Sequence, residues 1–180
     1  MKNHIFQTID NFTNFEDMSL FHKIYCEEGA INWRYKNIGH SEKYGIDSFC
    51  AGLPEETIKT IPFIKSTQEK IEKIMISFNN KLQKIHFNGH SPGQDGTLHT
   101  DLNKGSLTAM LFTNPEWINW WGGEFLLYDS KGEEVIDACS YKPNRLVIFS
   151  SHLPHRGIGP IHTLNGVFRV SVAFQFILDS

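Results

Sequence analysis

From Lys81 to its end the chain is a succession of short runs: LQKIHFN, TLHTD, SLTAMLFTN, GEFLLYD, EVIDACS, RLVIFS and FRVSVAFQFIL. Each is apolar or alternating, and Gly, Pro, Asn or Asp separate it from the next. Runs of this length with turn residues between them are strands of a sandwich or jelly roll. The aromatic share of 13%, with 14 Phe and 4 Trp, suits such a core.

The first 80 residues read differently. HIFQTID and INWRYKNIG alternate as strands do. Between them, Phe15, Met18, Phe21, Ile24 and Tyr25 fall at helical spacing, with Asn14 as N-cap and Gly29 as stop. Ser41 to Pro62 carries two glycines and two prolines and reads as loop. Ser66-x-x-Glu69 has the form of a capping box. Ile71, Ile74, Met75 and Phe78 then make one apolar stripe that packs on a sheet, and Asn79-Asn80 ends it. No composition break marks a boundary. The expectation is one domain over 1–180, α+β and mainly β: N-terminal helical support over 1–80 and a double-stranded β-helix (cupin-like jelly roll) over 81–180.

A net charge of -3 and a pI near 6.3 give no basic stripe for nucleic acid. Cys26, Cys50 and Cys139 are odd in number and widely spaced, which points to a reducing, cytoplasmic setting. The opening MKNHIFQTIDNF has no apolar core of a signal peptide, and no run is long enough to span a membrane. No membrane or nucleic-acid partner is expected.

His99 and Asp101, two apart in DGTLHTDLNKG, share a face if the segment is extended. They are either two ligands of a metal site or two polar residues on a solvated strand. A third ligand would come from His152, His155 or His162. Two His and one carboxylate on one side of a metal leave three positions open, the arrangement of non-haem Fe(II) oxygenases. Zinc also accepts such donors. Arg169 and Ser171 alternate with Val170 and Val172 in the last run. Arg169 either sits at an exposed edge or is buried and needs an anion, which its guanidinium would bind as a fork.

The order H-x-D, then H, then R-x-S resembles the 2-oxoglutarate- and Fe(II)-dependent oxygenase superfamily, in its prolyl 4-hydroxylase-like branch. FNGHSPGQDGTLHTD, LTAMLFTNPEWINWWGGEFLLYD and KPNRLVIFSSHLPHRG carry the likeness over about 82–176. TIDNF and INWRY are similar to the openings of small bacterial and phage members. The resemblance implies that His99, Asp101 and His155 hold Fe(II), with His152 as the rival to His155. It implies that Arg169 binds the distal carboxylate of 2-oxoglutarate, with Ser171 beside it and Asn88 as a further polar contact. His99, Asp101, His155 and Arg169 would then be the catalytic set. O2 is the second cosubstrate, and ascorbate is an expected reductant.

Phe112 stands where some hydroxylases place a cosubstrate-binding tyrosine. GPIHTLNG reads as a hairpin insertion. Gln175 stands where alkylation-repair demethylases carry a second Arg. The implied reaction is hydroxylation of peptidyl proline at C4, with release of succinate and CO2. The alternatives are a free amino acid or other small molecule as substrate, or a non-catalytic cupin-like binding module. Trp117, Trp120 and Trp121 either line a substrate groove or cover the barrel end. Gly122-Gly123 meets a backbone need. His86, His90 and His162 read as surface or supporting groups, and Cys139 as packing.

Overall fold

The computed structural model describes residues 4–37, 47–51, 54–101, 104–161 and 167–178. Its strands are β1 (Phe6–Ile9), β2 (Trp33–Asn37), β3 (Asp47–Ala51), β4 (Asn80–His90), β5 (Leu107–Phe112), β6 (Phe125–Tyr128), β7 (Val135–Cys139), β8 (Leu146–Ser150), β9 (His155–Gly157) and β10 (Arg169–Leu178). The helices are α1 (Phe15–His22), α2 (Glu55–Thr60) and α3 (Pro62–Met75). Among the described residues no helix is long and apolar enough to cross a membrane.

Seven strands form one antiparallel sheet in the order β1-β8-β5-β10-β4-β3-β2, and three form a second in the order β7-β6-β9. The fold is therefore mainly β, two facing sheets with helices outside. The alternation in each run decides which layer a side chain enters. Met110, Phe112, Val147 and Phe149 face Phe125 and Leu127 of the small sheet. The residues between them in sequence face the other way. Ile85, Phe87, Leu111, Ile148, Val172 and Phe174 pack under Met18 and Phe21 of α1 and Ile64, Ile71 and Met75 of α3. Fully burying each such side chain contributes roughly 1.5–3 kcal/mol. β5 and β8 are buried at every residue, which is why their runs are nearly continuous in apolar character.

Asn14 caps α1 by accepting a hydrogen bond from the Asp17 N–H at 3.0 Å, and Gly29 takes a φ of +84° just past the π-helical turn Lys23–Glu27. Asn79, at φ +53°, closes the short turn after α3.

Several local expectations are corrected. The stretch read as loop contains β3 and α2. Its prolines are not breakers there: Pro54 precedes α2, and Pro62 opens α3 at a position where the missing N–H costs nothing. α3 thus begins a turn before Ser66, whose hydroxyl donates to the Phe63 carbonyl at 3.0 Å instead of capping. The N-terminal region is also more than helical support, since β1, β2 and β3 complete the large sheet. TLHTD is not a regular strand. His99 alone makes a bridge, to His155.

Candidate active site

The site lies between the two sheets, on the face of the large sheet that carries Arg169, Ser171 and Thr108. The segment before His99 turns at Pro92-Gly93 and then follows the 155–160 segment. Gly96 N–H donates to the Gly157 carbonyl at 2.8 Å, and the His99 and His155 backbones exchange hydrogen bonds of 3.2 and 2.9 Å. This bridge sets the two histidines side by side, their rings 4.5 Å apart. The Asp101 N–H donates to the Ser151 carbonyl at 3.0 Å, which fixes the carboxylate beside them.

His99, Asp101 and His155 bring one donor atom each within 4.8 Å of one another. Each imidazole has its Nδ1 against a backbone carbonyl, Thr97 at 2.7 Å for His99 and Leu153 at 2.9 Å for His155. A carbonyl only accepts, so each Nδ1 carries a proton, and in the neutral ring Nε2 is left with a lone pair. Those Nε2 atoms face opposite oxygens of Asp101, each at 3.4 Å. Two lone pairs and a carboxylate directed at one point fit a divalent cation between them. Asp101 is nearly buried, which would raise its pKa. The charge and hydrogen bonding of His155 and His99 outweigh that and hold it well below the ordinary carboxylate range. His99 is likewise shifted up: burial opposes the shift, and the Asp101 hydrogen bond and charge overcome it.

Of the other histidines, His152 sits in the turn after β8, outside this cluster, with its Nδ1 buried and unpartnered. His162 lies outside the described residues, as does most of GPIHTLNG. His86 and His90 lie on the site face of β4, opposite Ala173 and Arg169. Burial lowers their pKa values to about 4 and about 3, the Arg169 charge adding to the second.

Arg169 is 1% exposed, so the edge-strand alternative fails: β10 is flanked by β4 and β5. Its Nε donates to the Gly123 carbonyl at 3.0 Å. Its Nη2 and the neighbouring Ser171 Oγ are buried with no hydrogen-bond partner among the described residues. A buried guanidinium without an anion is costly. Two orphaned donors on one face are what an incoming carboxylate would satisfy. Gly157 allows the approach, since a Cβ there would meet Arg169 Nη1 at 3.2 Å. Asn88 stands opposite Ser171 in the ladder and shares its face. Gln175 lies further along that face, opposite Thr108 and 8% exposed.

Residue reading did not find three supporting groups. Thr108 Oγ1 donates to Asp101 Oδ2 at 3.0 Å and lies 2.9 Å from Ser151 Oγ. Tyr141 stacks on Phe112, with ring centroids 4.4 Å apart. The only signal in the sequence was a polar or aromatic residue at an inward position. The tryptophans divide. Trp117 and Trp121 pack edge to face at the end of the sandwich, Trp117 donating to the Gly122 carbonyl at 2.9 Å, whereas Trp120 is 60% exposed. Gly122 and Gly123 take φ of +78° and +86°, the backbone need expected of them. Cys139 faces Phe125 across the β6–β7 ladder and packs on the core between the sheets.

A two-sheet β-fold with an open His-carboxylate-His cluster beside a buried, anionless arginine defines a metal-dependent enzyme that takes a carboxylate cosubstrate. The sequence model of the 2OG-Fe(II) oxygenase superfamily matches residues 85–175, half of the chain. The chain belongs to that superfamily: it is a 2-oxoglutarate-dependent dioxygenase whose cofactor is Fe(II) and whose cosubstrates are 2-oxoglutarate and O2.

Three solved structures share the fold. A prolyl-4-hydroxylase of Pseudomonas putida is 16% identical with a TM-score of 0.62, covering 99% of this chain and 95% of its own. A prolyl hydroxylase of Trichoplax adhaerens, in complex with a hypoxia inducible factor oxygen degradation domain peptide fragment, is 15% identical with a TM-score of 0.68, covering 96% and 83%. The viral collagen prolyl hydroxylase of Paramecium Bursaria Chlorella virus-1, in a 2-oxoglutarate complex, is 14% identical with a TM-score of 0.63, covering 95% and 94%. No curated protein matches the chain by sequence.

Proposed function

We propose that this dioxygenase hydroxylates peptidyl proline at C4, with His99, Asp101 and His155 as the iron ligands and Arg169 and Ser171 as the seat of the cosubstrate's far carboxylate. The observation that carries the site assignment is the pair of orphaned donors, Arg169 Nη2 and Ser171 Oγ, buried beside a three-donor cluster. A zinc hydrolase would leave that pair without a role.

Within the site, the Thr97 and Leu153 carbonyls hold the two imidazoles in the tautomer that offers Nε2. Asp101 supplies the negative charge that balances the cation, and Thr108 orients it. Arg169, already desolvated, binds a carboxylate without first shedding water, so the cosubstrate arrives in one register. The bound Fe(II) supplies the oxygen-activating chemistry that couples decarboxylation of 2-oxoglutarate to succinate with insertion of one oxygen atom into a C–H bond. The enclosing layer of Phe112, Phe125, Phe149 and Tyr141 excludes water from that chemistry.

Support for a prolyl substrate comes from the neighbours, one of which is in complex with a peptide fragment and another of which is named a collagen prolyl hydroxylase. The chain acts as one domain over 1–180, and ascorbate serves as added reductant. The test is mass spectrometry of proline-containing peptides and free amino acids incubated with enzyme, Fe(II), 2-oxoglutarate and ascorbate. The expected result is one oxygen gained at proline C4 of a peptide, matched by succinate. Oxygen gained by a free amino acid but by no peptide would replace the prolyl reading with the small-molecule one.

A further inference from the structure

We propose that Tyr141 and Asn114 are positioning residues that hold the Arg169 guanidinium aimed for the far carboxylate of 2-oxoglutarate, and so set the preference for a 2-oxo dicarboxylate. The inference rests on the assignment of Arg169 to the cosubstrate.

A buried arginine without an anion has no charge partner to keep its fork in place. Here its Nε is tied to Gly123, and its Nη2 has no partner among the described residues. What fixes the rest is a network centred on Tyr141. The Arg169 Cζ lies 5.1 Å from the Tyr141 ring centroid and 5.2 Å from that of Phe112. Those centroids are themselves 4.4 Å apart. The guanidinium carbon is therefore nearly equidistant from two stacked rings and within cation–π range of each. One side of the fork is thus fixed by aromatic contact, and Nη2 is left for the ligand.

The other end of Tyr141 fixes the backbone that carries Arg169. Its hydroxyl lies 2.7 Å from Asn114 Oδ1 and 2.6 Å from the Val170 carbonyl, and its single proton serves one of them at a time. It accepts the Asn114 N–H at 3.0 Å. Asn114 in turn brackets Arg169 along the chain. Its Nδ2 donates to the Phe168 carbonyl at 2.9 Å, and its Oδ1 accepts from the Val170 N–H at 2.7 Å. Trp117 leans on Tyr141 at 4.2 Å and reaches the Gly122 carbonyl, next to the Gly123 carbonyl that holds Arg169 Nε. The contacts close a ring around the guanidinium. Burial pushes the Tyr141 phenol well above its ordinary range, so it keeps the proton it donates.

A purely structural role for Tyr141 would make every ligand of the site bind worse. A positioning role is felt only by a ligand with a far carboxylate. The experiment is calorimetric titration of anaerobic Fe(II)-loaded protein with 2-oxoglutarate and with 2-oxopentanoate, which has the same length but no far carboxylate. Iron affinity is measured on the same samples. Arg169→Ala is the reference. It should weaken 2-oxoglutarate by about tenfold or more and leave 2-oxopentanoate alone. Tyr141→Leu removes ring and hydroxyl, and should weaken 2-oxoglutarate by about tenfold. Tyr141→Phe keeps the ring and should weaken it by about fivefold. In both variants 2-oxopentanoate and iron should stay within twofold of wild type, about 0.4 kcal/mol.

Should Tyr141→Leu fail to fold, Tyr141→Phe decides. Equal losses for the two acids, or an unchanged 2-oxoglutarate affinity in both Tyr141 variants while Arg169→Ala is impaired, would overturn the inference alone. An unimpaired Arg169→Ala would overturn the assignment of Arg169 and the inference with it.

Discussion

The two oxygens of Asp101 have different surroundings. Among the described residues Oδ1 faces the His99 imidazole, whereas Oδ2 faces His155 and also accepts from Thr108, whose hydroxyl is itself 2.9 Å from Ser151. The Thr108 bond fixes the rotation of the carboxylate and with it the oxygen presented to a metal. Thr108→Val keeps the shape and removes the donor. Equilibrium titration should show Fe(II) affinity lowered by about tenfold or more, with recovery in Thr108→Ser, as expected for a partner that orients a ligand. Affinity equal to wild type in Thr108→Val would mean that Asp101 is held by its backbone alone. At this scale the sequence was partly legible. H-x-D and R-x-S could be read because each pair is two apart and extended chain puts such residues on one face. Thr108 and Tyr141 could not, because their partners lie 7 and 28 positions away in Asp101 and Arg169 and meet them only through the fold.

At the scale of elements, the runs that became strands were legible where alternation or continuous apolar character lasted five or more residues, as in β4, β5, β8 and β10. β9 has three residues, too few for a period, so it is hidden at the end of KPNRLVIFSSHLPHRG. β3 and α2 were hidden by the Gly and Pro around them. Gly123 opens β6 and joins element to site. Its φ is +86°, an added Cβ would meet the Trp117 ring at 2.7 Å, and its carbonyl receives Arg169 Nε. Gly123→Ala should therefore destabilise the protein by about 1–2 kcal/mol from backbone conformation alone, and more from the contact. It should weaken 2-oxoglutarate binding in the same sample. Chemical denaturation and ligand titration check both, and a wild-type denaturation midpoint would show that the Trp117 layer yields freely.

At the scale of the whole molecule, three histidines held neutral by burial tie stability to pH. His22, the last residue of α1, and His86, on β4, are lowered to about 4, and His90 to about 3. In the unfolded chain each would titrate near about 6.5. Between about pH 6.5 and 4 the unfolded state then binds more protons, and folded stability falls as pH drops, by up to about 1.4 kcal/mol per pH unit for each histidine. His99, shifted up, acts in the opposite direction near the top of that window, where the folded state keeps a proton that the unfolded ring is losing. Urea midpoints of iron-free protein should decline from pH 6.5 to 4.5, and a flat profile would place these rings in water. Whether His99, Asp101 and His155 form the iron site of a dioxygenase is decided by measuring succinate release and iron occupancy on one folded preparation of Asp101→Asn. The substitution keeps the shape and removes the charge that balances the cation. Weakened iron binding and loss of nearly all succinate production are expected. Wild-type values for both would contradict that assignment, and would make Asp101 an ordinary polar residue beside two histidines.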